Sequence, residues 1–153
     1  MAKLKTVAAE LLVAWEAETV SARRMTALAE KHPDSRTRAR LMVLAAFCRA
    51  HASRLLARWN KMGVKVAPVV SQEDPEYRSL SAALRAESEF AAKMALRYSD
   101  YAERARAYSD LSSAWVFELN RSEEQDRSRE LLALSRPTPP RDDVKPEAVP
   151  SPR

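Results

Sequence analysis

The chain has 153 residues and a formal net charge of +5, and it contains one glycine and one cysteine. This length suits one domain with its own core, and no apolar run approaches the ~20 residues that a transmembrane helix needs. One cysteine excludes an internal disulfide, and no apolar stretch with a cleavage site follows Met1, so we expect a cytoplasmic protein.

Two long helices are predicted first, over residues 4–31 and about 36–62. Pro33 breaks the chain between them, and Asp34 or Ser35 can cap the second helix. Such a short connection predicts antiparallel neighbours. Their predicted inward stripes are Leu4, Ala8, Leu11, Trp15, Glu18, Ala22, Met25 and Ala29, then Leu41, Leu44, Cys48, His51, Leu55 and Trp59 or Met62.

Residues 63–74 are rich in valine and predict an extended connector. Twelve extended residues reach roughly 40 Å, which is also the length of a helix of about 27 residues. The connector can therefore run the full length of a bundle. This predicts an all-α, ferritin-like four-helix bundle with a long crossover between helices 2 and 3, rather than an up-down-up-down bundle.

The third helix is predicted over about 75–104, with Asp74 as its N-cap and Pro75 at its first position. The fourth is predicted over about 109–135, after a break between residues 106 and 109. Their predicted inward stripes are Tyr77, Leu80, Leu84, Glu87, Ala91, Met94, Tyr98 and Tyr101, then Leu111, Trp115, Leu119, Glu123, Asp126 and Leu131 or Leu134. Residues 137–153 are rich in proline and predict a disordered tail outside the domain of residues 1–136.

Each predicted helix carries acidic or metal-capable residues near the middle of its inward side. They are Glu18, then Cys48 with His51, then Glu87 with Glu89, then Glu123 with Asp126. Burial of an ionised carboxylate costs several kcal/mol when the charge has no partner. Carboxylates that converge in one bundle therefore predict a shared cation, although the pattern leaves open whether Glu87 or Glu89 faces the core.

These segments resemble the ferritin-like superfamily, most closely its rubrerythrin branch. The resemblance covers about residues 10–134: residues 14–29 are similar to the first helix of that family, 49–56 to the second, 84–90 to the third and 123–132 to the fourth. It implies a carboxylate-rich metal centre that holds one or two iron, manganese or zinc ions and handles iron or peroxide. We also expect a homo-oligomer, most simply a homodimer.

The chain departs from the di-iron pattern of that family, which takes one Glu from each of two helices and Glu-x-x-His from each of the other two. Cys48 stands where the bridging Glu of the second helix should be, and Asp126 stands where the second ligand histidine should be. The only other histidine, His32, lies at the end of the first helix. No Cys-x-x-Cys pair is present for a rubredoxin-type iron.

Three arrangements of these residues remain open. In the first, Glu18, His51, Glu87 or Glu89, Glu123 and Asp126 bind metal, with Cys48 as an optional soft ligand. In the second, arginines such as Arg24, Arg54 or Arg127 turn inward and form a structural ion-pair network. In the third, the stripes are displaced by one residue and several carboxylates face water.

Two functions follow from these arrangements. One is a divergent rubrerythrin-like protein with a non-standard metal site, and the other is a non-catalytic interaction module that has kept the bundle and lost the metal. Residues 1–60 contain 11 Lys and Arg against 5 Asp and Glu, so this basic half, or the tail, is the expected contact with a protein partner. Because no DNA-binding pattern accompanies the charge, we expect no nucleic-acid ligand.

Overall fold

The computed structural model describes residues 2–63, 70 and 73–137. Four helices, α1 (Ala2–Lys31), α2 (Ser35–Lys61), α3 (Leu80–Ala107) and α4 (Leu111–Leu134), form the fold. The described residues contain no β-strand, which confirms the all-α class. Within this part of the chain, no helix combines the length and the apolar character needed to cross a bilayer. Residues 64–69 and 71–72 of the predicted connector, and the predicted tail beyond residue 137, lie outside the described residues.

The four helices pack as two antiparallel pairs, α1 with α2 and α3 with α4. The pairs meet where α1 contacts α3 and α2 contacts α4. Arg104 near the end of α3 pairs with Glu10 near the start of α1, and Arg58 near the end of α2 pairs with Asp110 at the start of α4. Therefore α2 and α3 run parallel on diagonal corners of the bundle, and the end of α2 and the start of α3 lie at opposite ends of it.

The third helix begins later than the sequence predicts, at Leu80 rather than near residue 75. Ser79 is its N-cap, because its Oγ accepts a hydrogen bond from the backbone N–H of Ala82 at 3.1 Å. The predicted cap, Asp74, instead accepts two hydrogen bonds from Arg23, at 2.7 and 3.2 Å. A carboxylate held in this ion pair is not available to cap a helix, and so the prediction was wrong at this boundary.

The starts of α2 and α4 agree with the sequence. The Asp34 carboxylate accepts a hydrogen bond from the Thr37 backbone N–H at 2.7 Å and caps α2, as predicted. The predicted break before the fourth helix is also present: Ser109 has a left-handed φ of 60°. Asp110 then caps α4 by accepting from the Ser113 backbone N–H at 3.0 Å.

Two hydrophobic clusters occupy opposite ends of the bundle. One contains Val7, Leu11, Leu55, Trp59, Met94, Tyr98 and Phe117, and the other contains Met25, Leu28, Leu41, Leu44, Leu84 and Leu131. Between them lies a layer of buried polar side chains that includes Glu18, Ser21, His51, Glu87, Glu124 and Arg127. The fold thus places charged groups in the middle of an apolar interior, where each charge requires a partner.

The inward face of α4 differs from the predicted one. Leu111 and Trp115, which were predicted to face inward, are 69% and 65% exposed. The face that is buried contains Ser113, Ala114, Val116, Phe117, Asn120, Glu124, Arg127 and Leu131. Half of these side chains are polar, and Leu111 and Trp115, which are exposed, indicate the wrong face. The third arrangement considered above therefore applies to α4.

Candidate functional site: a buried charge network

Four carboxylates and four basic side chains meet in the polar layer. The carboxylates are those of Glu18, Glu87, Glu123 and Glu124, and the basic groups are those of Arg24, Arg54, Arg127 and His51. All four helices contribute to this set. The second arrangement considered from the sequence, an inward-facing network of arginines and carboxylates, is therefore the one that the structure contains.

His51 lies at the centre of the network and is fully buried. Its Nε2 is 2.6 Å from Glu123 Oε2, while its Nδ1 is 3.2 Å from Glu18 Oε1 and 3.3 Å from Glu124 Oε1. Both ring nitrogens face carboxylate oxygens, so both must carry a proton for the contacts to be favourable. Burial opposes this charge, but the interactions with Glu124 and Glu18 outweigh it and raise the pKa of His51 to about 9. The ring is an imidazolium at neutral pH.

Arg127 supplies the second cation from α4 itself. Its Nε and Nη2 donate to Glu124 Oε1 and Oε2 at 2.9 and 2.6 Å, a two-bond contact that fixes both groups. Its Nη1 donates to Ser21 Oγ at 2.6 Å. Burial would raise the pKa of Glu124, but the charge of Arg127 and the contact with His51 hold that pKa below its ordinary value. Glu124 is therefore an ionised carboxylate in the core.

Glu87 of α3 is bound from the α1 side. Arg24 Nε lies 2.9 Å from Glu87 Oε1, and Ser21 Oγ donates to Glu87 Oε2 at 3.0 Å. The guanidinium of Arg24 also lies over the ring of Phe90, 5.1 Å from its centroid, which favours its inward orientation. Burial raises the pKa of Glu87 even though Arg24 and Arg127 are close to it.

Glu123 closes the network on the side of α2 and α4, where it is partly exposed. Arg54 donates to both of its carboxylate oxygens, at 2.8 and 3.2 Å, and also to Asn120 Oδ1 at 2.8 Å. Partial burial would raise the pKa of Glu123, but its hydrogen bonds with Arg54 and His51 lower it. This corner is the point at which the network meets the surface.

Glu18, like Glu87, accepts one hydrogen bond from the described residues. The Tyr98 hydroxyl donates a hydrogen bond to Glu18 Oε1 at 2.7 Å. Burial and, to a smaller extent, the charge of Glu18 raise the pKa of Tyr98 well above its ordinary value. Within the described part of the chain, Glu18 Oε2 is buried and accepts no hydrogen bond. Glu87 Oε1 also accepts no hydrogen bond within the described residues, but Arg24 Nε lies 2.9 Å from it; Glu18 Oε2 is therefore the better position for contact with a further cation.

One group of side chains has the spacing of metal ligands. A carboxylate oxygen of Glu18, a carboxylate oxygen of Glu124 and Cys48 Sγ all lie within 4.8 Å of one another, and all three residues are buried. Two features oppose a metal here. Arg127 already binds both oxygens of Glu124, and burial raises the pKa of Cys48, so the sulfur stays a thiol.

Two predicted site residues do not join the network. The side chain of Asp126 is 73% exposed and pairs with Arg129 on the surface, because the inward face of α4 is turned away from it. Glu89 is exposed on α3, and Glu87 is the acid of that helix that faces the core. The predicted Glu18, Cys48, His51 and Glu87 are fully buried.

Glu124 is a site residue that was not predicted from the sequence. A signal was available in the steps of three and four residues from Phe117 through Asn120 to Glu124 and Arg127, together with the Glu–Arg spacing of three that allows pairing on a helix. This spacing identifies the inward face of α4 only if polar side chains are allowed to face the core.

The formal charges of the network cancel. Four carboxylates carry four negative charges, and three arginines with the His51 imidazolium carry four positive charges. Each carboxylate has at least one of these cations within 3.3 Å. The arrangement can hold four helices in one register without an added ion. It contains one histidine and has a guanidinium bound to a central carboxylate, so its residues do not fit a di-iron centre.

No protein-family model, curated protein or solved structure matches this chain. Its function is therefore inferred from its own residues.

Proposed function

We propose that this protein is a divergent ferritin-like bundle that acts as a non-catalytic interaction module, with its own cations in place of a metal centre. The observation that carries the proposal is the pairing of every carboxylate in the polar layer with Arg24, Arg54, Arg127 or His51. A buried network with balanced charge favours one helix arrangement, because any other packing leaves a charge unpaired. Such a network supports a stable platform rather than a reaction centre.

The surface of the bundle supports a binding role. Within the described part of the chain, the exposed large apolar side chains are Val13, Met42, Val43, Phe47, Leu96, Leu111, Trp115 and Leu132, each at least 40% exposed. Val43 and Phe47 lie one turn apart on α2, and Leu111 and Trp115 lie one turn apart on α4. Contiguous apolar side chains on a protein surface are typical of contact sites for other molecules. The homodimer expected from the sequence is part of this proposal, and sedimentation velocity over a range of protein concentrations tests it.

Metal analysis tests the proposed function directly. We expect protein purified without added metal to contain less than about 0.2 metal ions per chain, and to remain so after incubation with Fe²⁺, Mn²⁺ or Zn²⁺ followed by desalting. A Glu18→Gln variant gives the same values if no metal binds. About one ion per chain in the wild type, lost in Glu18→Gln while helicity is retained, would overturn the proposal.

A second candidate function is a single-metal site at Glu18, Cys48 and Glu124. Two observations favour it: a carboxylate oxygen of Glu18 is one of the three grouped ligand atoms, and Glu18 Oε2 is buried without a hydrogen bond within the described residues. A thiolate with two carboxylates suits a soft or borderline ion such as Zn²⁺ or Fe²⁺. Binding requires the thiol to lose its proton and Arg127 to leave Glu124, so the affinity should be weak at neutral pH. Zinc uptake that rises with pH and disappears in Cys48→Ser would favour this candidate.

A further inference from the structure

A groove between α2 and α4 lies on the outside of the bundle, at the end where α2 finishes and α4 starts. Its volume is about 520 Å³. Leu111 and Trp115 form one wall, and they lie one helical turn apart on the same face of α4. Both are among the most exposed apolar side chains of the described residues, at 69% and 65%. An indole this exposed beside a leucine has the composition of an anchor site for a partner's apolar side chain.

The opposite wall of the groove is basic. Arg54, Arg58 and Lys61 line it at intervals of four and three residues along α2, and none of the described residues that line the groove is acidic. Arg54 and Arg58 are partly neutralised, each by one carboxylate. Lys61 is exposed and forms no salt bridge with any residue that the structure describes. The groove therefore combines an apolar wall with an excess of positive charge.

A second groove of the bundle lacks this combination of an exposed apolar wall and excess positive charge. It lies between α1 and α2, has a volume of about 680 Å³ and contains Glu30 as well as Arg23 and Arg49. Its charge is mixed, and its apolar side chains Trp15 and Leu56 are only partly exposed. The groove between α2 and α4 is therefore the better match for a ligand that carries both negative charge and an apolar side chain.

We propose that the α2–α4 groove binds a short acidic peptide segment of a partner protein. One apolar or aromatic side chain of the segment packs between Leu111 and Trp115, and its carboxylates face Lys61 and Arg58. This inference rests on the proposed function, because it names the partner chemistry of the interaction module. A concave site with one apolar wall suits an inserted side chain of a peptide better than the flat surface of an anionic membrane.

Selection from a random peptide library tests the chemistry of the ligand. A phage-displayed library of about 12 random residues, selected on the immobilised full chain, is expected to yield peptides with net negative charge and at least one large apolar residue. A synthetic peptide of the enriched sequence is then titrated while tryptophan emission is recorded. We expect a blue shift, because docking removes the Trp115 indole from water. Enrichment of neutral or basic peptides, or no enrichment, would overturn the proposal.

Surface variants locate the binding site. Trp115→Ser and Lys61→Glu are each expected to weaken binding of the selected peptide by about tenfold or more, and added salt is expected to weaken wild-type binding. Leu96→Ser and Lys93→Glu, which are matched changes at exposed positions of α3, are expected to leave it unchanged. All four change exposed side chains, and circular dichroism checks that each variant folds. Equal affinity in all variants would contradict the assignment of the groove.

Vesicle binding tests whether the groove binds a membrane surface instead of a peptide. Co-sedimentation with phosphatidylserine vesicles is expected to show no difference between wild type and Trp115→Ser. Binding that this substitution abolishes would identify a membrane ligand and overturn the proposal. Metal uptake is independent of these measurements. A metal-free protein that selects no acidic peptide leaves the proposed function intact, whereas a metal-loaded protein contradicts the proposed function whatever peptide it selects.

Discussion

Arg127 is the bulkiest of the fully buried side chains in the described part of the chain. Its guanidinium is satisfied by three hydrogen bonds, two to Glu124 and one to Ser21. Burial alone would lower its pKa, but the negative charge of Glu124 raises it above the ordinary value. Arg127 therefore stays charged in the core. Its guanidinium binds both oxygens of Glu124, which a metal ion would need as ligands.

Replacement of Arg127 tests how strongly the network depends on this cation. Arg127→Met keeps the length of the side chain but leaves Glu124 without its two-bond partner. We expect the free energy of unfolding to fall by about 3–5 kcal/mol, because removal of one member leaves a buried charge uncompensated. Urea denaturation measures the change. The matched control is Arg129→Met, whose exposed pair with Asp126 should contribute no more than about 1 kcal/mol. Similar values for the two variants would contradict the network.

The protonation of His51 predicts how stability depends on pH. Its folded pKa of about 9 lies above the ordinary value of about 6.5 for an unfolded chain. The added stability is therefore fully present below about pH 6.5 and is lost as the pH rises through about 9, with a total on the order of 3 kcal/mol. The groups that face the ring from other helices are Glu18, Glu123 and Glu124.

Urea denaturation at a series of pH values measures this dependence. His32→Gln, which changes the other histidine of the chain, should retain the decline, and His51→Gln should flatten it. Flat stability of the wild type between about pH 6.5 and 9 would show that His51 is neutral in the folded state.

At the level of single residues, the sequence predicts the buried positions where the inward face contains both apolar and polar residues at regular steps. Glu18, Cys48, His51 and Glu87 follow from the apolar residues around them, and all are buried. Their partners Arg24, Arg54 and Arg127 were named in one of the three open arrangements, but the sequence could not select that arrangement, because an arginine on a helix is usually exposed. The inward turn of Arg127 depends on carboxylates supplied by other helices.

At the level of helices, the boundaries depend on which side chain is available to cap. Asp34 caps α2 as its position predicts, whereas Asp74 is occupied by Arg23 and Ser79 caps α3. The inward face of α4 could not be predicted from apolar periodicity, because Leu111 and Trp115 lie outside the core. Local sequence specifies the existence of each helix better than its rotation.

The cap of α3 has a measurable consequence. Ser79→Ala removes the hydrogen bond to the Ala82 N–H and is expected to reduce the free energy of unfolding by about 1 kcal/mol. Asp74→Asn changes the residue that the sequence predicts as the cap. We expect this variant to lose no more than about 1 kcal/mol of unfolding free energy, because the ion pair of Asp74 with Arg23 is exposed. Thermal unfolding of both variants compares them. A larger loss in Asp74→Asn than in Ser79→Ala would contradict the observed start of α3.

At the level of the whole molecule, the sequence predicts a long connection between α2 and α3. The ion pairs at Arg58 and Arg104 place the end of α2 and the start of α3 at opposite ends of the bundle. The topology does not determine which groups fill the centre of the bundle. The same bundle can enclose a metal or a set of paired side chains, and the choice depends on the count of charges in its central layer.

The most direct test of the account is the free energy of unfolding in excess EDTA, compared with that in saturating Fe²⁺, Mn²⁺ or Zn²⁺. Because the network is neutral without an added ion, we predict values that agree within about 0.5 kcal/mol. A metal bound only by the folded protein, at a hundred times its Kd, would add about 2.7 kcal/mol. An increase of that size, absent from Glu18→Gln, would contradict the claim that the protein's own cations complete its core.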